Sequence, residues 1–163
     1  MVIDMQTSLP SREEIWSWLD AVSDPEIPVL SVTDLGIIRT VRWTGESGDP
    51  TLVITVTPTY SGCPATAVIK EDILKTLREH GLSQVRIETQ LSPAWTTDWM
   101  TERGQRRLQE YGIAPPQPPS TSVPCPRCGS PDTRLVSQFG STPCKAFYIC
   151  NSCLEPFDHF KCH

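Results

Sequence analysis

A chain of 163 residues suffices for one ordinary domain, or one domain plus a small module, at about 100 to 200 residues per domain. With 14 basic against 19 acidic residues and a net charge of -5, it lacks the electrostatic footprint of a nucleic-acid binder. No apolar run approaches the roughly 18 residues of a membrane span, and the opening MVIDMQTSLPSREE has neither the charged start nor the apolar core of a signal peptide, so a cytoplasmic protein with no nucleic-acid or membrane partner is expected.

Ser11 followed by Glu14 has the form of a capping box, in which each side chain satisfies an orphan N–H at a helix start. Ile15, Trp18, Leu19 and Val22 then lie on one apolar stripe, predicting a helix near 11–23. Prolines at 25 and 28 exclude a regular helix from the next stretch, which reads as an ordered loop. The β-branched run GIIRTVRW, the turn cluster TGESGDP and the run TLVITVT predict a hairpin.

A second helix follows in ATAVIKEDILKTLREHG, where Ile69, Ile73 and Leu77 repeat every four residues and Gly81 supplies a stop. QVRIETQL reads as a third strand, and residues 97–111 as a third helix in spite of Gly104, which costs about 1 kcal/mol relative to alanine. The predicted order is α-β-β-α-β-α over residues 1–113, an α/β (α+β) domain. Residues 114–123 are dense in proline and polar, as in a stiff, extended and exposed linker, and residues 124–163 form the second module.

That module carries CPRC at 125–128 and CNSC at 150–153. Each short spacing turns two thiolates onto one cation, and the two pairs complete a tetrahedral S4 site, so Cys125, Cys128, Cys150 and Cys153 are the predicted ligands of a structural zinc. Iron in a rubredoxin-like site would have the same ligands, and zinc is preferred on frequency alone. Some forty residues with few large apolar side chains hold little core, whereas a structural zinc contributes roughly 10–16 kcal/mol of apparent binding free energy. Cys144, Cys162 and His163 remain, either as a second, incomplete site or as a buried small residue beside a frayed terminus. His80 and His159 are assigned no role.

Cys63, in SGCPAT, stands apart from all these thiols. With Pro64 as the first helical residue, Cys63 caps a helix at the positive end of its dipole, which predicts a lowered thiol pKa and a good soft-metal ligand. A catalytic nucleophile needs a nearby base, and the first domain offers only His80, at the far end of the same helix. An independent enzymatic activity is therefore not expected.

DPEIPVLSVTDLGIIR and VTPTYSGCPAT closely resemble the metal-sulfur cluster biosynthesis, or MIP-eighteen-like, family across roughly residues 11–92, and SPAWTTDWMT with the cysteine-rich tail resembles its phenylacetate-degradation D (PaaD) branch. The resemblance implies an accessory component of the phenylacetyl-CoA monooxygenase, or epoxidase, of aerobic phenylacetate catabolism. Its partners would be the oxygenase and reductase subunits, and its role the maturation of their iron site or iron-sulfur cluster. The family motif maps onto Asp34 and Cys63, with Thr59 and Tyr60 on the preceding loop, and implies a transient iron-sulfur cluster, held within one chain or shared across a homodimer. The chain lacks the carboxylate and Glu-x-x-His pairs of a di-iron bundle and a nucleotide-binding glycine motif, so it is neither oxygenase nor reductase. The alternative is a structural or regulatory subunit that docks through its ribbon and performs no iron chemistry.

Overall fold

The computed structural model describes residues 8–46, 48–60, 63–118 and 121–161. Cys162 and His163 lie outside this set. Helix α1 (Arg12–Leu19) opens with both halves of the predicted capping box: Ser11 Oγ accepts from Glu14 N at 3.2 Å, and Glu14 Oε2 accepts from Ser11 N at 2.8 Å. It ends before the predicted 23: Ala21 N and Val22 N bond back only three residues, to Trp18 O and Leu19 O, and Ser23 then forms an antiparallel bridge with Ser31.

The loop from 21 to 37 is an interior element. Ile27, Leu30, Val32, Leu35 and Ile37 are all buried, and Asp24 Oδ1 satisfies the N–H groups of Glu26 and Ile27 at 2.7 and 2.8 Å. Strands β1 (Ile38–Thr44) and β2 (Thr51–Val56) form the expected antiparallel hairpin. After helix α2 (Ala65–Glu79), strand β3 (Val85–Thr89) joins β2 in parallel. Ile69, Ile73 and Leu77 bury the predicted face of α2, while His80 stacks on Trp18 with 4.3 Å between ring centroids.

The third helix differs from expectation at its start: residues Thr97–Trp99 form a short 3-10 turn, and α3 (Glu102–Tyr111) begins anew with Thr101 as its cap. Gly104 is explained by proximity. A Cβ there would lie 3.1 Å from both Cβ and O of Asp34, so the small residue lets α3 press against the 21–37 loop.

The second sheet has the order β4-β7-β6-β5, comprising β4 (Ile113–Ala114), β5 (Thr133–Ser137), β6 (Lys145–Cys150) and β7 (Pro156–Phe160). The stretch expected to leave as an exposed linker instead begins inside this sheet. Ile113 and Ala114 pair in parallel with Asp158 and His159, Ala114 is fully buried, and Val123 is buried beside Cys125, Cys150 and Phe157. At the other end of β7, Phe160 enters the core of the first sheet and its helices, meeting Trp95 edge-on at 6.1 Å. Apolar burial is the reason: at about 25 cal/mol per Å², sinking an aromatic ring outweighs the freedom of a tethered module.

Candidate metal centre and thiol cleft

The CPRC and CNSC turns build matching knuckles. Cys125 O accepts from Gly129 N at 2.9 Å and Cys150 O from Leu154 N at 3.0 Å, and both Gly129 (φ 76°) and Leu154 (φ 64°) adopt the left-handed conformation that reverses the chain after each pair. The ligand atoms of all four cysteines lie within 4.8 Å of one another. Cys125 Sγ is 3.7 Å from Cys153 Sγ, and Cys128 Sγ is 3.6 Å from Cys150 Sγ. A tetrahedral site with Zn–S bonds of about 2.3 Å has S–S edges of about 3.8 Å, so the four thiols fit a metal of this class. Cys150 Sγ also accepts from Cys153 N at 3.4 Å, and such backbone donation, first from Cys153, brings the Cys150 thiol down to about 7. A bound zinc would supply a cross-link between the two knuckles.

Leucine is costly in the left-handed region, by about 1–2 kcal/mol, and Leu154 is 74% exposed, so its side chain returns little. Leu154→Gly is expected to raise the stability of the metal-loaded ribbon by about 1 kcal/mol or less, once the greater freedom of glycine in the unfolded chain is subtracted. Denaturant unfolding followed by metal release checks this.

Cys63 lies elsewhere. Helix α2 starts at Ala65, where the helical run is expected, with Pro64 before it already in helical conformation and no side chain capping the end. Burial, aided by the Glu26 and Asp24 carboxylates, pushes the thiol pKa up and outweighs the opposing influence of the nearby Ala65 and Thr66 N–H groups at the helix end. The expected lowering is therefore reversed: the field of the helix end acts, but desolvation and two nearby anions are stronger.

The sulfur borders a cleft of about 120 Å³ lined by Glu26, Thr59, Tyr60, Cys63, Pro64, Pro143 and Cys144. A cavity of about 20 Å³ adjoins it, also reached by Glu26, Cys63 and Cys144, and walled by Asp24, Leu35, Ile69 and Phe160 among others. Cys144, expected either in a second, incomplete site or as a buried small residue, thus reaches the Cys63 cleft from the ribbon.

Asp34 does not line this space. It is fully buried, with Oδ1 accepting from Arg103 Nε at 2.7 Å and Thr101 Oγ1 at 3.1 Å, and Oδ2 accepting from Arg107 Nη1 at 2.7 Å and Ser31 N at 3.2 Å. Burial raises its pKa, but the hydrogen bond from Arg103 and those from Ser31 and Thr101 prevail and leave it lowered. Arg103 also holds Asp20, whose pKa it brings to about 2. Every strong acceptor direction of Asp34 is engaged, so its role here is to clamp the 21–37 loop onto α3. Sequence reasoning missed Arg103 and Arg107; their i, i+4 spacing on α3 was the available signal, since a buried carboxylate requires cations.

Known proteins match the two halves of the chain separately and then together. Residues 115–161 match the family described as the PaaD zinc beta ribbon domain, and residues 12–88 the family described as iron-sulfur cluster assembly protein. A protein of Escherichia coli K12 named as the D component of 1,2-phenylacetyl-CoA epoxidase is 52% identical over 161 residues, 94% of each chain. The chain belongs to the PaaD family.

Its assembly-type half has relatives without the ribbon. A Porphyromonas gingivalis W83 protein named as an Fe-S protein maturation auxiliary factor is 37% identical over 101 residues, covering 61% of the PaaD-family chain and 92% of its own length. The crystal structure of a DUF59 domain from Bacillus anthracis superposes with a TM-score of 0.52 and 26% identity, over 59% of this chain and 89% of that one. Among the described residues, no helix is long and apolar enough to cross a membrane.

Proposed function

We propose that this PaaD-family chain is an accessory maturation component of a cytoplasmic phenylacetyl-CoA epoxidase complex, assisting assembly of the iron site or iron-sulfur cluster of the oxygenase and reductase subunits, with no catalytic turnover of its own. The observation that carries the reading is the position of Cys63: apart from the four ribbon thiols and bordering an accessible cleft. A closed S4 site holds its metal for structure, whereas a thiol beside open space is free to take and release a soft metal or a cluster. The names borne by the relatives, an epoxidase component and an iron-sulfur maturation factor, point the same way. Asp34 enters as the residue that fixes the loop beside the cleft.

Co-production of the epoxidase subunits with wild-type chain or with Cys63→Ser tests the proposal. The variant chain is expected to fold and retain its ribbon metal, while the partner subunits emerge with iron content and phenylacetyl-CoA turnover reduced several-fold. Fully loaded, active partners would overturn the maturation role of Cys63. One observation favours the structural-subunit alternative: β5 is an edge strand whose Leu135 and Val136, together with nearby Phe139, are exposed, an apolar surface of the kind interfaces use. Under that reading, substitutions in β5 would release the partners while Cys63→Ser would have no effect.

A further inference from the structure

Cys63 follows strand β2 and its loop, whereas Cys144 immediately precedes β6 in the ribbon. Both border the same two adjoining cavities, and Glu26 borders both as well. We propose that Cys63 and Cys144 together form a two-thiol binding site for a labile, thiophilic divalent cation of the iron(II) class, with Glu26 as the carboxylate donor. The site is assembled only when the ribbon docks on the first domain.

The donor chemistry suits such an ion. Two sulfurs and a carboxylate form a mixed soft and hard set, which selects a borderline cation over magnesium or calcium. Among the described residues neither Glu26 nor Asp24 belongs to an ion pair, and the same two carboxylates act on both thiols, raising the pKa of each after burial has done so. Lys145, the nearest cation to act on Cys144, reaches toward Asp158 at 3.8 Å. Negative charge therefore converges on a largely enclosed space and is offset only in part by Lys145, which acts on both Cys144 and Asp24. The inner cavity, about 20 Å³, admits one water-sized guest, since about 10–15 Å³ suffices for a water. That size favours a single ion there.

Lability has a geometric origin. The ribbon thiols are already gathered within 4.8 Å, and no other group of three or more potential ligands is so gathered among the described residues. A cation in the cleft must draw its ligands inward and displace their protons, both of which weaken binding. Such a site exchanges its ion more readily than the ribbon.

The inference deepens the maturation reading by naming the second ligand, but its test reads metal binding on the isolated full chain. Protein with one equivalent of zinc in the ribbon is titrated anaerobically with cobalt(II), and thiolate-to-cobalt absorption is followed. Wild type and Cys162→Ser are expected to bind a second equivalent. Cys63→Ser and Cys144→Ala are expected to weaken it by at least the roughly 10–100-fold lost when even a supporting residue is removed from a metal site, with ribbon zinc and thermal unfolding checked in each. In parallel, a dibromobimane cross-link on wild type should join the Cys63 and Cys144 peptides, a readout that requires no variant to fold. Failure of wild type to bind cobalt beyond the ribbon, retention of wild-type affinity by folded Cys144→Ala, or absence of that cross-linked peptide would each overturn the site. If Cys144→Ala loses the second metal while co-produced partners remain fully loaded with iron, the two-thiol site stands and the maturation reading falls.

Discussion

Cys150→Ser is expected to release one equivalent of metal, unfold the ribbon and also lower the stability of the first domain. Cys150 is fully buried, 3.6 Å from Cys128 Sγ, and its sulfur accepts from Cys153 N. The ribbon's own apolar cluster is small, formed by Ala114, Val123, Cys125, Cys150 and Phe157 with Tyr148 packed against it, so a bound metal would supply most of what holds it. A structural zinc contributes roughly 10–16 kcal/mol in small modules of this kind, well beyond what so few side chains replace.

The second part of the effect arises from β7. The sequence reads the tail as a second module beyond an exposed linker, but Phe160 sits in the first domain's core against Trp95, and β4 leads directly from α3 into the ribbon sheet. An unfolded ribbon withdraws that ring, and truncating a core phenylalanine costs about 3–5 kcal/mol. Metal analysis together with calorimetry should show loss of the metal and a lower melting temperature for the remaining domain. Phe160→Ala should reproduce the second effect while retaining the metal. A first-domain transition identical to wild type in both variants would show the docking to be energetically empty.

Asp34→Asn is expected to destabilise the protein by about 3 kcal/mol at neutral pH. Removing one member of a buried ion pair costs about 3–5 kcal/mol, and the lower end applies because Arg103 and Arg107 remain about 40% exposed and can rehydrate. An amide also presents an N–H₂ toward one guanidinium in place of an acceptor. The pH dependence has a definite sign. Asp34 and Asp20 both have folded pKa values below the ordinary carboxylate range, Asp20 at about 2, so the native state binds fewer protons than the unfolded chain near pH 4. Their contribution is complete above the unfolded value of about 3.9 and is lost as pH falls through the folded values. Urea unfolding at neutral pH and between about pH 4 and 2 should show wild type losing stability steeply in that window and Asp34→Asn following a shallower slope. Equal stability at neutral pH with equal slopes would mean that the clamp contributes nothing.

The elements legible in the sequence are those whose cause is local. The capping box at Ser11 and Glu14, the buried stripe of α2 and the paired knuckles of the ribbon each depend on residues three or four apart, so their spacing already contains the geometry. The sequence likewise isolates Cys63 from the ribbon thiols, because a ligand set with its own complete spacing leaves an extra cysteine over. What only the tertiary structure decides depends on groups distant along the chain. Arg103 and Arg107 meet Asp34 across some seventy residues, converting a family-motif aspartate into a buried clamp. The Cys63 pKa follows the desolvation and the anions around it, Glu26 and Asp24, more than the helix end predicted from its neighbours. Cys144 reaches the Cys63 cleft because β4 and Phe160 fasten the ribbon onto the first domain. Periodicity and spacing encode the local hydrogen bonds and ligand bites, but burial and charge are sums over everything that packs nearby, and those sums exist only once the chain has folded.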